Sequence, residues 1–302
     1  MKGYLKHFFI FLLPIVIVFI GMEFLLRNIP NSYQFKADFM QKNAQDIEVL
    51  ILGNSHSFYG VNPKYLEDSA FNLSHVSQSL EVDLATLRAY LPEMKQLKKI
   101  VLRLSYDTLF EVLSETDESW RYKDYRLYTD VDLNYKITHY SEVLSVSLKE
   151  NIKRLNNFYV KNIDALNCNV YGWGNDASSV LSKDLISTGP KVAKKHTAET
   201  NFFLSQNLKS LNDIIELCQQ NSIEVILVTF PCYNSYTENL NEYQLKTTIE
   251  TGENMDRVFK NCTYLNFMND DRFKAEHFFD ADHLNDKGAK LFSEILNTQL
   301  SQ

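Results

Sequence analysis

The sequence predicts an α/β protein, a three-layer α/β/α arrangement around a mostly parallel sheet, preceded by one N-terminal transmembrane helix. Three observations predict it. Short apolar runs recur along the chain, most of them stopped by a glycine, a proline or polar residues. Segments with helix-spaced apolar residues stand between them, and this alternation demands crossover connections, hence parallel strands covered on both faces. Ahead of both lies an apolar stretch, Phe8 to Leu26, long enough to span a bilayer, which needs roughly 20 such residues.

The N-terminal element is justified by its flanks. Met1 to His7 precede the apolar stretch, and Lys2 and Lys6 within them favour a cytoplasmic N-terminus and an exported C-terminal domain, a bias that Arg27 weakens. A cleaved signal peptide competes with an uncleaved anchor. The sequence Glu-Phe-Leu-Leu-Arg-Asn-Ile-Pro after the run lacks the small-residue cleavage pattern, so the anchor is the better reading. Pro14 is tolerable within a membrane helix, and Glu23 interrupts the apolar run. Residues 1–30 are thus expected to form the anchor and residues 31–302 one domain, placing the protein as a single-pass inner-membrane protein facing the periplasm or cell exterior.

After a polar linker over 31–46, Glu48 to Gly53 reads as a buried strand ending at a glycine. Ala70 to Leu73 gives a second strand, and a helix follows from Ser79 to Tyr90 with Leu80, Leu84 and Leu87 on one face. Lys99 to Leu104 supplies a third strand. Helices are expected at Leu204–Gln220, Glu242–Phe259 and Asp286–Leu300, and strands at Ile223–Phe230, stopped by Pro231, and Thr263–Phe267. Residues 110–201 break the alternation and read as an insertion with one helix near Ser141–Val160 and a loop at Tyr171–Gly174. This insertion carries Trp120, Tyr122, Tyr125, Tyr128, Tyr135, Tyr171 and Trp173. A cap that lays aromatic faces on a sugar or lipid and an ordinary satellite core both fit; aromatic content alone does not separate them, and the core is the simpler reading.

Composition narrows the function. The 302 residues, 45% hydrophobic, suffice for a full core, and a net charge of -7 offers no basic footprint for nucleic acid. Cys168, Cys218, Cys232 and Cys262 form no C-x-x-C pair, which argues against thiolate metal or thioredoxin-like sites and leaves disulfides and buried thiols equally open.

Parallel sheets bind ligands beyond the carboxyl ends of their strands, so the residues following each strand are the ones to inspect. The first strand ends in Gly53-Asn54-Ser55-His56-Ser57, a turn that can raise one hydroxyl above the sheet. A serine becomes nucleophilic only with a base in reach and a donor for the resulting oxyanion. Before the last helix stands Phe279-Asp280-Ala281-Asp282-His283-Leu284-Asn285-Asp286-Lys287-Gly288. An aspartate three residues before a histidine can orient the imidazole so that its other nitrogen faces a serine.

With these two blocks the chain resembles the SGNH/GDSL hydrolase superfamily, whose first block places the nucleophile serine after a glycine and whose last block is D-x-x-H. The run Asp280 to Gly288 is similar to that of the membrane-anchored bacterial branch that includes alginate and cellulose acetylation proteins and the D-alanyl-teichoic-acid transfer protein. The resemblance spans the region after the anchor apart from the insertion. It implies the flavodoxin-like SGNH fold, with Ser55 as nucleophile, His283 as general base and Asp280 as its orienting carboxylate. It also implies an acylated glycan or acyl donor as substrate, no cofactor and, for transfer, a multispanning membrane acyltransferase as partner.

The middle blocks depart from that family. Typical members place a glycine after the second strand and an asparagine after the third as oxyanion donors; here Ser77 stands near the first position and Leu104-Ser-Tyr-Asp107 has no asparagine. Backbone N–H groups of Ser55 and Ser77 are the candidate donors instead. A catalytically inactive SGNH-fold glycan-binding or assembly protein is therefore the rival to a serine esterase or O-acyltransferase.

Other residues have plainer readings. His277, Asp280, Asp282 and His283 have metal-ligand chemistry, but a triad already accounts for this loop and no metal is expected. Asp282 is an alternative orienter with poorer geometry. His56 and His75 read as solvent-facing or locally bonded histidines, and Lys191 to His196 as a solvated basic surface.

Overall fold

The computed structural model of the chain describes residues 2–301, so Met1, the first residue of the expected anchor, and Gln302 lie outside the described residues. The strands are β1 (Val49–Leu52), β2 (Ala70–Asn72), β3 (Lys99–Arg103), β4 (Glu224–Thr229) and β5 (Cys262–Asn266). The helices are α1 (Lys2–Arg27), α2 (Ser32–Asn43), α3 (Ser55–Gly60), α4 (Leu80–Tyr90), α5 (Tyr122–Tyr128), α6 (Glu142–Ser145), α7 (Leu148–Leu155), α8 (Leu185–His196), α9 (Leu204–Gln220), α10 (Asn234–Thr237), α11 (Glu242–Val258) and α12 (Asp286–Leu300).

All four strand pairings are parallel, in the order β2-β1-β3-β4-β5. The alternation of side chains along a strand divides the core in two. Leu50, Leu52, Ile100, Leu102, Val225 and Leu227 face one side, covered by α2, α4, α9 and Met255 of α11. Val49, Ile51, Val101, Ile226 and Val228 face the other, under Phe278, Leu284 and the Phe292-Leu296-Leu300 stripe of α12. This is the expected three-layer α/β/α arrangement. Because every strand runs the same way, Leu52, Asn72, Arg103, Thr229 and Asn266 end at one rim.

The expected polar linker at 31–46 is a helix. Asn31 caps α2 by accepting from the Gln34 amide at 2.9 Å, and Tyr33, Lys36, Ala37 and Met40 form a buried stripe. Phe39 stacks on Phe71 of β2 with centroids 3.9 Å apart. The single helix expected near Ser141–Val160 is instead α6, α7 and a π turn at Asn156–Val160, because Ser147 breaks the run and caps α7 through the Glu150 amide at 3.3 Å.

The insertion packs mainly on itself and on the first core. Tyr122 and Tyr125 are buried in that core, Tyr128 donates to Glu142 at 2.6 Å, and Trp173 Nε1 donates to the Tyr59 carbonyl at 2.6 Å. Beneath them Glu142 sits between Lys123 at 3.0 Å and Arg154 at 2.7 Å. All four cysteines are free thiols.

α1 contains the one helix among the described residues long and apolar enough to cross a membrane, at Ile10–Arg27 with mean hydropathy 2.3 and only 6% of that window buried. Glu23, which interrupts it, has a structural partner set: its carboxylate accepts from Ser141 Oγ at 2.7 Å and from the Glu142 and Val143 amides at 3.1 Å, capping α6.

Candidate active site

The turn after β1 is forced by its neighbours. Gly53 has φ +116°, and a Cβ there would come within 2.8 Å of both Arg103 Cβ and Ser57 Oγ, so only glycine fits. Its amide donates to buried Asp83 at 2.8 Å. Asn54 then caps α3 by accepting from the His56 amide at 3.0 Å, which sets Ser55 as the first helical residue at the sheet's carboxyl rim.

The second loop is pinned at both ends. Phe279 N–H donates to the His283 carbonyl at 2.9 Å, and Asn285 caps α12 by accepting from the Lys287 and Gly288 amides at 3.0 Å each. Gly288 lies so close to the His277 carbonyl that a Cβ would approach it to 2.1 Å. Within this loop Asp280 Oδ1 accepts from the His283 amide at 3.0 Å and lies 2.8 Å from His283 Nδ1.

The two loops meet: Ser55 Oγ is 2.8 Å from His283 Nε2. The hydroxyl, imidazole and carboxylate singled out in the sequence therefore form one continuous chain of hydrogen bonds. Such a chain can withdraw a proton from the hydroxyl as it attacks and hold the imidazolium that results.

A second buried layer was not anticipated. Asp282 is 1% exposed, with Oδ1 3.3 Å from His283 Nδ1 and Oδ2 3.3 Å from His56 Nε2. Asp282 Oδ1 is not aligned for a hydrogen bond, so Asp280 holds the ring while Asp282 acts as a near charge. Burial works against the His283 imidazolium, but Asp282 and Asp280 together override it, and His283 is pushed up to about 10. Burial likewise opposes the charge of Asp282, yet His283 and His56 hold its carboxyl well below the usual range. His56 goes the other way: burial outweighs the pull of Asp282 and brings it down to about 4, so it is neutral at pH 7. With Asp282 ionised, His56 Nε2–H donates to it, and Nδ1 is left to accept from Ser105 Oγ at 3.2 Å.

The site opens into a cleft of about 690 Å³ lined by Ser55, Ser77, Arg103, Asp280 and His283, with the carboxylates Glu111, Glu115, Asp117 and Glu118 and the amines Lys183 and Lys195 also in its lining. Ser77 has φ +62°, the left-handed conformation a glycine would adopt freely. Neither the Ser55 nor the Ser77 amide donates to a protein acceptor among the described residues. Where an asparagine was missing, Arg103 ends β3. It is 3% exposed, donates through Nε and Nη2 to Thr108 Oγ1 at 3.0 and 2.7 Å, and leaves Nη1 without an acceptor. Arg103 had a signal in the sequence, a lone charge at the end of an apolar strand.

None of the seven insertion aromatics lines this cleft: Tyr122 and Tyr125 pack in the first core, and Trp120 lines a separate cleft of about 670 Å³ beside Ile29 and Arg154. His56 and His75 are both buried, His75 stacked on Tyr33 at 3.8 Å, and neither faces solvent. Part of the basic run does more than meet solvent, since Lys195 and His196 reach the cleft wall. Of the potential metal ligands, His277 is held away by the Lys274 amide at 2.9 Å; His56, Asp282 and His283 do come within 4.8 Å of one another, facing each other's ring N–H and carboxylate groups.

No protein-family model and no curated protein sequence matches the chain. Among solved structures, a protein from Streptococcus pneumonia provisionally described as a platelet activating factor aligns over 96% of this chain and 98% of its own, with TM-score 0.45 and 11% identity. A protein from Bacteroides fragilis provisionally described as an acylhydrolase aligns over 87% of this chain and 94% of its own, with TM-score 0.41 and 8% identity.

Proposed function

We propose that this chain is a serine esterase or O-acyltransferase that works through an acyl-enzyme on Ser55, with an extracytoplasmic cell-envelope polysaccharide or related polymer as its substrate. The observation that carries the proposal is the 2.8 Å approach of Ser55 Oγ to His283 Nε2, with Asp280 at 2.8 Å from the other ring nitrogen. In this reading His283 takes the Ser55 proton as the oxygen attacks an ester carbonyl. The tetrahedral oxyanion is held by the free amides of Ser55 and Ser77. Collapse expels the alkoxide, which takes the proton from His283. Water or a sugar hydroxyl then attacks the acyl-serine with His283 again as base, and Ser55 is released.

The envelope assignment draws on the sequence resemblance at Asp280–Gly288 and on an N-terminal helix fit to anchor the domain. If transfer is the physiological outcome, the acyl group arrives from a multispanning membrane acyltransferase. The absent asparagine favours one rival, an inactive glycan-binding module.

One experiment separates them. The full-length protein in detergent is expected to cleave a chromogenic acetyl ester and to label with a fluorophosphonate at Ser55, and both signals should vanish in Ser55→Ala and fall sharply in His283→Ala. Glycan binding without labelling would establish the inactive module instead.

A further inference from the structure

The segment 137–163 of the insertion presents large apolar side chains to the outside. Leu148 is 59% exposed, Ile152 53% and Val160 70%, with Ile137, Leu144 and Ile163 similarly uncovered. Their spacing is not random. Leu148, Ile152, Leu155 and Tyr159 recur at helical intervals on α7 and the π turn that follows it, while Asn151 turns inward and Lys149 and Lys153 stand exposed beside them. A contiguous apolar strip of this kind marks an interaction surface, since isolated exposed side chains would be scattered.

Its position says what covers it. α6 and α7 pack directly on α1, and the joint is polar and specific: Glu23 caps α6, Arg27 donates to the Tyr140 carbonyl at 2.8 Å, and Tyr159 donates to the Leu25 carbonyl at 2.9 Å. Phe24 and Leu25, in the last turn of the span, are themselves exposed. The exposed apolar surface at the end of the membrane helix therefore lies directly beside the apolar strip of the insertion.

We infer that residues 137–163 form an interfacial module that lies in the bilayer surface around the exit of α1 and seats the domain on the membrane. The occupant is lipid. The apolar side chains enter the headgroup–acyl boundary, and exposed Lys149 and Lys161 reach headgroup phosphates, while Lys153 pairs with Glu150 at 2.8 Å. An amphipathic element held beside a single span adds a second attachment point, so the domain does not swing freely about α1. This inference rests on α1 being a membrane span.

The test uses the full chain reconstituted in vesicles of phosphatidylcholine and phosphatidylglycerol, with and without dibrominated acyl chains. Single substitutions Leu148→Trp and Ile152→Trp probe the module, Ile17→Trp the span, and Lys290→Trp the helix α12, on the opposite face of the sheet from α2. Brominated lipid is expected to quench the added fluorescence at positions 148, 152 and 17 by roughly twofold and to leave position 290 unchanged. Quenching at 17 alone would overturn the interfacial module and keep the anchor. No quenching at any position would overturn the anchor itself. A blue-shifted but unquenched signal at 148 and 152 would show a protein surface, such as a second copy, in place of lipid.

Discussion

Two carboxylates compete for one imidazole at His283, and the consequence is a pH dependence. General-base action needs neutral His283, whereas Asp282 and Asp280 favour the imidazolium and raise its pKa to about 10. Rate therefore climbs as pH rises, about tenfold per unit below that pKa, and levels above it. Asp282→Asn removes one of the two charges, so the acid limb of kcat/KM is expected to move to lower pH, which a pH–rate profile reads directly; a limb left in place would show that the charge of Asp282 does not reach the ring. Asp280→Asn acts differently, because it removes the acceptor that fixes the ring's tautomer. A loss of about 10⁴-fold in kcat is expected, the scale of the same change in a serine protease triad. Ser77 carries the strain of φ +62°. Ser77→Gly keeps the amide and relieves that strain, so it should raise stability by about 1 kcal/mol, a shift of about 2 °C in Tm, without loss of ester cleavage.

The elements that position these residues were legible where periodicity was strong. β4 is built on the apolar run Val225–Val228 and α12 on a clean stripe ending at Leu300, and both fall within a residue or two of where the pattern put them. α2 was hidden because its buried face includes Ser32 and Lys36, polar residues that read as a linker until Tyr33 and Met40 are seen beneath them. α8 was hidden by Pro190 in its interior, although Asp184 caps it by accepting from the Ile186 and Ser187 amides. The site divides in the same way. Ser55, Asp280 and His283 sit in local motifs whose spacing carries meaning, whereas His56 gains its role from Ser105 and Asp282, partners far along the chain that no local pattern reveals. The glycine between β1 and α3 is where element geometry and chemistry meet. Gly53→Ala places a methyl 2.8 Å from Arg103 Cβ and forces φ +116° on a residue with a side chain. A cost of roughly 2–5 kcal/mol in stability is expected, together with loss of fluorophosphonate labelling as Ser55 shifts from His283; a denaturant melt and a labelling gel check both. Wild-type values for this variant would mean that β3 yields where the packing shows no room.

At the scale of the whole molecule, the insertion and the N-terminal helix are joined at a polar contact centred on one carboxylate. Glu23 would be an anomaly in an apolar span, but it lies in the last turns of α1, where its oxygens take the free amides at the start of α6 and its neighbour Arg27 pairs with it at 2.6 Å. A capped helix terminus of this kind is worth about 0.5–2 kcal/mol. Glu23→Ala leaves the Glu142 and Val143 amides without their acceptor, and local opening becomes easier by that amount. Amide exchange in the full chain should therefore accelerate about two- to thirtyfold at residues 142 and 143. Protection in β1, β3 and β4 should stay constant, and so should cleavage of a small soluble ester, because Ser55 and His283 are held by loops that Glu23 does not touch. Faster exchange spread over the whole sheet would instead show that α1 stabilises the global fold, and no change at 142 and 143 would show that the two parts are not joined through Glu23.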